Sequence, residues 1–330
     1  MMTESNSRSS ESVPKKNATI ADYLAIARFD HSTKHIFIIP GIVFAYILRG
    51  IHTESVATQI VLGLITAICI ASANYVINEW LDRDFDKYHP TKSQRSAVLR
   101  DLRGEIVVLE WLIFLVIGLG CAYLSSKNMF LIAAIFALQG VVYNVPPLRM
   151  KDKTYLDVIS ESINNPLRLM IGWAMIDATT LPPASILLSY YLGGAFLMSA
   201  KRLSEYREIM ALHGKQLLSQ YRASFAGYSD ISLTVSCFLY AMLSSFFLAI
   251  FLIKYRIEYI LLMPLISIFF SQYLALAMHP ESSAQKPEKL FRERGLMIML
   301  LILIASFIVT TLVDIPILKT LTEQQYIVFE

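Results

Sequence analysis

The chain has 330 residues, of which 55% are hydrophobic and 17% charged, with a mean hydropathy of +0.52 and a net charge of +3. That is too apolar and too segmented for an ordinary soluble domain. The expectation is an all-α polytopic integral membrane protein, partnered by the lipid bilayer and by no nucleic acid.

In chain order, residues 1–18 are rich in Ser, Asn and Glu and read as a disordered tail. A single domain is expected over 19–320, followed by a short C-terminal tail, 321–330. No short apolar stretch with a small-residue cleavage site precedes the first span, so no signal peptide is expected. Nine apolar segments follow, at about 34–49, 56–80, 105–125, 129–144, 154–178, 184–200, 231–253, 257–278 and 295–314. They are read as nine transmembrane helices around a central polar cavity. The loops after spans two, four, six and eight carry 18 Lys and Arg, against five on the other side. This places the N-terminus and those loops in the cytoplasm, with the plasma membrane of a bacterium as the expected location.

Polar features interrupt this pattern at four places. The run into span one, Ala27 to Phe37, carries Arg28, Lys34 and His35. A basic amphipathic segment there rests on headgroups, and Lys34 alone is kept as a substrate candidate. The second feature, Asn74 to Arg95, places Glu79, Asp82, Asp84 and Asp86 at the end of an uncharged stretch long enough to cross a bilayer. Asn74, Asn78, Asp82 and Asp86 recur every four residues and share one helix face. Acids at a membrane-embedded helix end need a wet cavity, a partner or a metal. Oxygen ligands backed by substrate phosphates suit Mg²⁺, so Asn78, Glu79, Asp82 and Asp86 are candidate metal ligands, with Asp82 and Asp86 catalytic and Asn78 also touching substrate. The alternative is a solvated loop with Arg83 and Lys87 as counter-charges.

In the third feature, Tyr143 to Arg168, Pro146 and Pro147 end span four. Arg149, Lys151 and Lys153 then bring three cations to the membrane surface. Asp157, Glu161, Asn164, Asn165 and Arg168 form one stripe of span five, which should face the bundle interior. Asp157 is assigned a catalytic role; Tyr143, Arg149, Lys151 and Arg168 are assigned to substrate. Internal salt bridges, Glu161 to Arg168 or Asp157 to Lys153, are the competing reading. The fourth feature, Ser199 to Glu208, sets Lys201, Arg202, Glu205 and Glu208 on neighbouring turns. Lys201 is a catalytic candidate that stabilises a departing diphosphate, and Arg202 and Glu205 are substrate candidates. Cys69, Cys121 and Cys237 lie inside apolar spans as core residues, no histidines pair at a metal spacing, and no Gly-rich phosphate loop is present.

These residues resemble the UbiA superfamily of intramembrane prenyltransferases over about residues 20–315. The family motif N-D-x-x-D-x-x-x-D is matched by Asn78, Glu79, Asp82 and Asp86, with Glu for the first Asp. A basic follow-on matches Lys92 to Arg95, with Ser96 where Pro is usual, and Tyr143 to Asp152 looks like the loop after helix four. The resemblance implies nine helices around a central cavity, Mg²⁺, a polyprenyl diphosphate, and Arg95 at the substrate. The family's second acidic motif, after helix six, reads Lys201-Arg202-Leu-Ser-Glu205 here. That pattern, with Asp157-Val158 and Arg168, looks like the decaprenyl-phosphate phosphoribosyltransferase branch. It implies transfer of 5-phosphoribosyl from phosphoribosyl diphosphate to a polyprenyl phosphate, with Arg149 or Lys151 guiding the lipid phosphate. Prenyl transfer to an aromatic or other small acceptor is the alternative, and a non-catalytic lipid-binding or transport protein a third.

Overall fold

The computed structural model describes residues 16–89, 91–279 and 292–322. The basic residues Lys286 and Lys289 and most of both expected tails lie outside them. Lys16–Asn17 pair in parallel with Arg100–Asp101, so this end of the expected tail is tied to the loop before the third span. A capping box between Thr19 and Asp22 starts helix α1 (Ile20–Ile26).

The bundle is organised on α3 (Val56–Asp86), 31 residues long. Gly63, Ala67, Ala71 and Ala73 are buried along it, and such small residues let neighbouring backbones approach where lipid supplies no hydrophobic drive. Against it pack α5 (Gly104–Ser125), reached through the short α4 (Ser96–Leu99), then α6 (Lys127–Asn144) and α8 (Asn164–Ile176). The second half of the bundle is α9 (Ala184–Tyr221), α10 (Asp230–Tyr255), α11 (Leu262–Met278) and α12 (Arg294–Leu312), with the short α13 (Pro316–Thr322) beyond.

Among the described residues six helical stretches are long and apolar enough to cross a membrane, fewer than the nine expected spans. The other three apolar segments are present but fall short of that measure, the first and fifth because they are interrupted. The first begins as a 3-10 stretch, Phe29–Ile38, and becomes α-helical only in α2 (Ile39–Arg49), where Pro40 sits in the first turn. The fifth divides at Ile163 into α7 (Leu156–Ser162) and α8, because Pro166 has no N–H for the carbonyl of Ser162. The sixth runs on as α9 well past its apolar half, so Lys201 to Glu208 lie inside a helix and not at its end; the break comes at Gly214, with φ 77.

Helices α2 and α8 touch backbone to backbone. A Cβ on Gly41 would meet the Leu169 carbonyl oxygen at 2.1 Å, and one on Gly172 would meet that of Ile38 at 2.1 Å. Neither obstacle is a flexible side chain, so the helices themselves must separate. Gly172→Ala is therefore expected to cost about 1–3 kcal/mol, read as a fall of several degrees in the thermal midpoint in detergent; an unchanged midpoint would show that the contact is not held in solution.

Candidate active site

Three loops meet at one end of the bundle around a polar cavity of about 130 Å³. Helix α3 supplies its acidic wall: Asn78, Asp82 and Asp86 line it on successive turns. Asn78 Nδ2 donates to Asn144 Oδ1 at 2.6 Å, which joins α3 to the end of α6. Asp82 Oδ1 takes Lys151 Nζ at 2.5 Å and Arg149 Nη2 at 2.8 Å. The chain can deliver both because α6 stops before Pro146 and Pro147 and turns back through Arg149, whose φ of 32 is left-handed. Lys151 also donates to Asn144 Oδ1 at 2.9 Å; burial pulls its ammonium down to about 8, with Asp82 opposing the shift. Arg149 and Lys151 thus stand behind Asp82 and not on the cavity surface. Asp86 Oδ2 is held by Arg95 Nη1 at 2.8 Å.

Glu79 does not join this wall. One residue on from Asn78, its face is turned away, and its buried carboxylate pairs with Arg28 at 3.3 Å and Arg95 at 3.4 Å. This corrects its reading as a metal ligand. Asp157 is also behind the wall: it is fully buried, its Oδ2 taking Arg202 Nε at 3.0 Å and Ser224 Oγ at 3.1 Å, and its Oδ1 taking Tyr228 Oη at 2.7 Å. It lies outside the cavity lining with both oxygens engaged, and its work is to hold Arg202, with Arg222 at 3.7 Å. The two competing salt bridges do not form. Glu161 accepts from Tyr143 Oη at 2.8 Å and faces Arg202 at 3.6 Å.

On α9, Arg202 is a buried strut tied to Asp157 and, at 3.3 Å, to Glu205. Glu205 also meets His89 Nε2 at 3.2 Å and Lys92 at 3.7 Å, and lies outside the cavity lining. Its place as a substrate residue is corrected accordingly, and it is not placed to hold a second metal. Lys201 differs: among the described residues its ammonium has no hydrogen-bond or ion-pair partner, and it lines the cavity. Sequence reasoning passed over Asn144 and Gln139, gave Arg28 to the headgroups, met Lys92 as the start of the basic follow-on and counted Arg222 only among loop charges; all five line the same cavity. Arg222 was the hardest to find, since a turn beyond the Gly214 break carries it back to the site.

One to two turns further along the same helices lies a second chamber of about 460 Å³, mostly apolar. Ala71, Phe136, Tyr190 and Leu197 line it, while Lys34, Asn74, Tyr75, Glu161 and Asn164 are shared with the polar cavity. Arg168 is 6% exposed, lies on the chamber side with its guanidinium 5.2 Å over the Phe136 ring, and donates to the Asn164 carbonyl.

A divalent cation fits the wall in one way only. No group of three acids, histidines or cysteines among the described residues converges on a point. One amide and two carboxylates on Asn78, Asp82 and Asp86 are hard oxygen donors of the kind that hold Mg²⁺ together with phosphate.

Residues 37–302 match the model of the UbiA prenyltransferase family. The nodulation protein NoeC of Azorhizobium caulinodans is 28% identical over 171 residues, 51% of this chain and 54% of that protein. An uncharacterized protein, y4nM, of Sinorhizobium fredii is 26% identical over 159 residues, 48% of this chain and 30% of its own length. The chain thus spans about half of the first of these relatives and under a third of the second. A protoheme IX farnesyltransferase of Bacillus mycoides is 21% identical over 211 residues, 62% of this chain and 68% of that one. The fold matches a UbiA homolog from Archaeoglobus fulgidus bound to GPP and Mg²⁺, with TM-score 0.66 and 21% identity over 88% of this chain and 99% of that one. It also matches a structure of digeranylgeranylglyceryl phosphate synthase, with TM-score 0.60 and 16% identity over 88% and 97%.

Removing one partner of a buried ion pair costs about 3–5 kcal/mol. Asp157→Asn should therefore lower the thermal midpoint by more than about 5 °C, whereas Lys201→Gln, which breaks no pair, should leave it in place; equal stability of the two variants in a thermal gel-filtration assay would contradict the division made here.

Proposed function

Because the chain belongs to the UbiA prenyltransferase family, we propose that this membrane transferase moves the 5-phosphoribosyl group of phosphoribosyl diphosphate onto a polyprenyl phosphate. The observation that carries the reading is charge. Seven cationic side chains line the polar cavity against three carboxylates, and with Glu79, Asp157 and Glu205 pairing from outside the lining one cation remains in excess, while Lys34 and Lys201 have no carboxylate within ion-pair distance among the described residues. A phosphate monoester carries about −2 near neutrality, and the phosphoribosyl donor and the lipid phosphate each bring one more such group than a prenyl diphosphate and a neutral acceptor, which suits cations that no carboxylate has claimed. Where a second acidic motif is usual, the wall instead offers the ammonium of Lys201.

In this reading the donor lies in the polar cavity. Asn78, Asp82 and Asp86 hold Mg²⁺, which when bound offsets the charge of the donor diphosphate. Arg149, Lys151 and Arg95 hold the carboxylates of Asp82 and Asp86 in place. Lys201, Lys92 and Arg222 meet phosphate oxygens; Asp157 positions Arg222 for this, and its pair with Arg202 ties α7 to α9. An oxygen of the lipid phosphate attacks the anomeric carbon as its bond to diphosphate breaks. The diphosphate leaves with the electron pair, and cations already in place stabilise it. A dianionic acceptor has no proton to give up, so no general base is required. The apolar chamber takes the isoprenoid chain.

The bundle crosses the membrane nine times in this proposal, the first, fifth and sixth segments included. The N-terminus and the cavity mouth face the cytoplasm of a bacterial plasma membrane, where a water-soluble donor is at hand. The names and bound molecules of the relatives favour a second reading, prenyl transfer from a prenyl diphosphate to a small acceptor.

The deciding assay follows label from phosphoribosyl diphosphate into lipid, with purified protein, polyprenyl phosphate and Mg²⁺. Label in the lipid phase, lost in Asp82→Ala, is expected. Consumption of a prenyl diphosphate with an aromatic acceptor, and no labelled lipid, would overturn the proposal in favour of prenyl transfer. Lys201→Glu should insert normally yet lose phosphoribosyl transfer by more than about 100-fold, the cost of reversing one transition-state charge contact. Wild-type turnover by that variant would remove Lys201 from the mechanism.

A further inference from the structure

The apolar chamber contains charge that an isoprenoid tail does not need. Lys34 and Arg168 both line it, from the 3-10 stretch before α2 and from α8. Each rests on an aromatic face, Lys34 Nζ 5.3 Å from the Tyr75 ring centre and Arg168 5.2 Å from that of Phe136. Neither is paired with a carboxylate within ion-pair distance, although Arg28, Lys151 and Arg202 of the same site are. Arg168 is more than nine-tenths buried, its Nε has no hydrogen-bond partner, and the side-chain oxygen of Asn164 beside it has none either. A guanidinium sunk this far from water with a donor unspent is costly unless a ligand takes it up.

We propose that Lys34, Arg168 and Asn164 form an acceptor subsite that binds the phosphate monoester of the polyprenyl phosphate. This rests on the phosphoribosyl-transfer reading and adds to it where the acceptor sits. Arg168 supplies parallel N–H donors to a phosphate, Lys34 a second cation, and the Asn164 amide can turn its NH₂ inward. The subsite lies where the chamber and the polar cavity join, since Lys34 and Asn164 line both. A phosphate held there keeps its chain in the chamber and turns a free oxygen toward the donor beside Asp82. The close approaches of Gly41 to Leu169 and of Gly172 to Ile38 fix the pair, because Lys34 is one turn from Ile38 and Arg168 one turn from Gly172.

The test is equilibrium binding of tritiated geranylgeranyl phosphate and of geranylgeraniol to the full chain in nanodiscs, without donor. Wild type should prefer the phosphate by about tenfold or more, the worth of a charge-assisted hydrogen bond. Arg168→Gln and Lys34→Gln should each shrink that preference severalfold by weakening the phosphate alone, and Arg168→Lys should restore part of it. Unchanged affinity for the alcohol certifies folding; if Arg168→Gln loses that too, Lys34→Gln, at a half-buried position, decides alone. Preference surviving both neutral variants overturns the subsite. So does displacement of the bound lipid by ribose 5-phosphate, which would give these cations to the donor. Labelled lipid formed with an unaltered KM for lipid phosphate in Arg168→Gln leaves the phosphoribosyl reading standing and removes the subsite. Arg168-dependent binding with no phosphoribosyl transfer does the reverse.

Discussion

A charge taken into a bilayer must be compensated there, and the architecture at the polar end of this bundle is largely the record of how that was done. Asp82, Asp86, Glu79, Asp157 and Glu205 each face at least one arginine or lysine within 4 Å, drawn from a different stretch of chain. Each pair removes two desolvation costs only if its geometry is good, and losing one partner leaves the other stranded. The loops after α3, α6 and α9 are thereby stitched to the helices they follow. Sites of this kind are held by charge matching, with apolar packing supporting them from below.

The same accounting separates the polar side chains into two populations. Asp157 and Arg202 satisfy each other and are scaffold, though both are charged residues in the middle of a membrane enzyme. Lys201, Arg168 and Lys34 have no carboxylate of their own, and these are the positions to which we assign recognition of an anionic ligand. A charged residue's value to chemistry is read from what remains unspent after the fold has taken its share.

Much of this was legible in the chain and some of it was not, for identifiable reasons. The four-residue repeat of Asn78, Asp82 and Asp86 declares a shared face, and the prolines at 146 and 147 declare where α6 must stop. The same repeat could not say that Glu79, a single position away, points elsewhere, because the motif is read as a string whereas the helix reads it as an angle. Nor does periodicity reveal partners far apart in sequence. Asp157 looked available because Arg202, Ser224 and Tyr228 lie 45, 67 and 71 residues on. The break within the fifth segment and the one after the sixth were not foreseen because hydropathy averages over a window, while one Pro166 or one Gly214 acts at a point.

The close contact of α2 with α8 also bears on how the protein is made. Gly172 follows Gly41 by 131 positions, so α2 enters the bilayer long before the helix it docks against has been synthesised. Until then its small-residue face meets lipid or a chaperone, while α3, α5 and α6 are free to assemble behind it. The acidic wall of Asp82 and Asp86, with Arg95, Arg149 and Lys151, is complete in sequence before Arg168 is made, and α9, which brings Lys201 and Arg202, follows later still, so the half-built protein holds the wall's charge before either chamber can be enclosed.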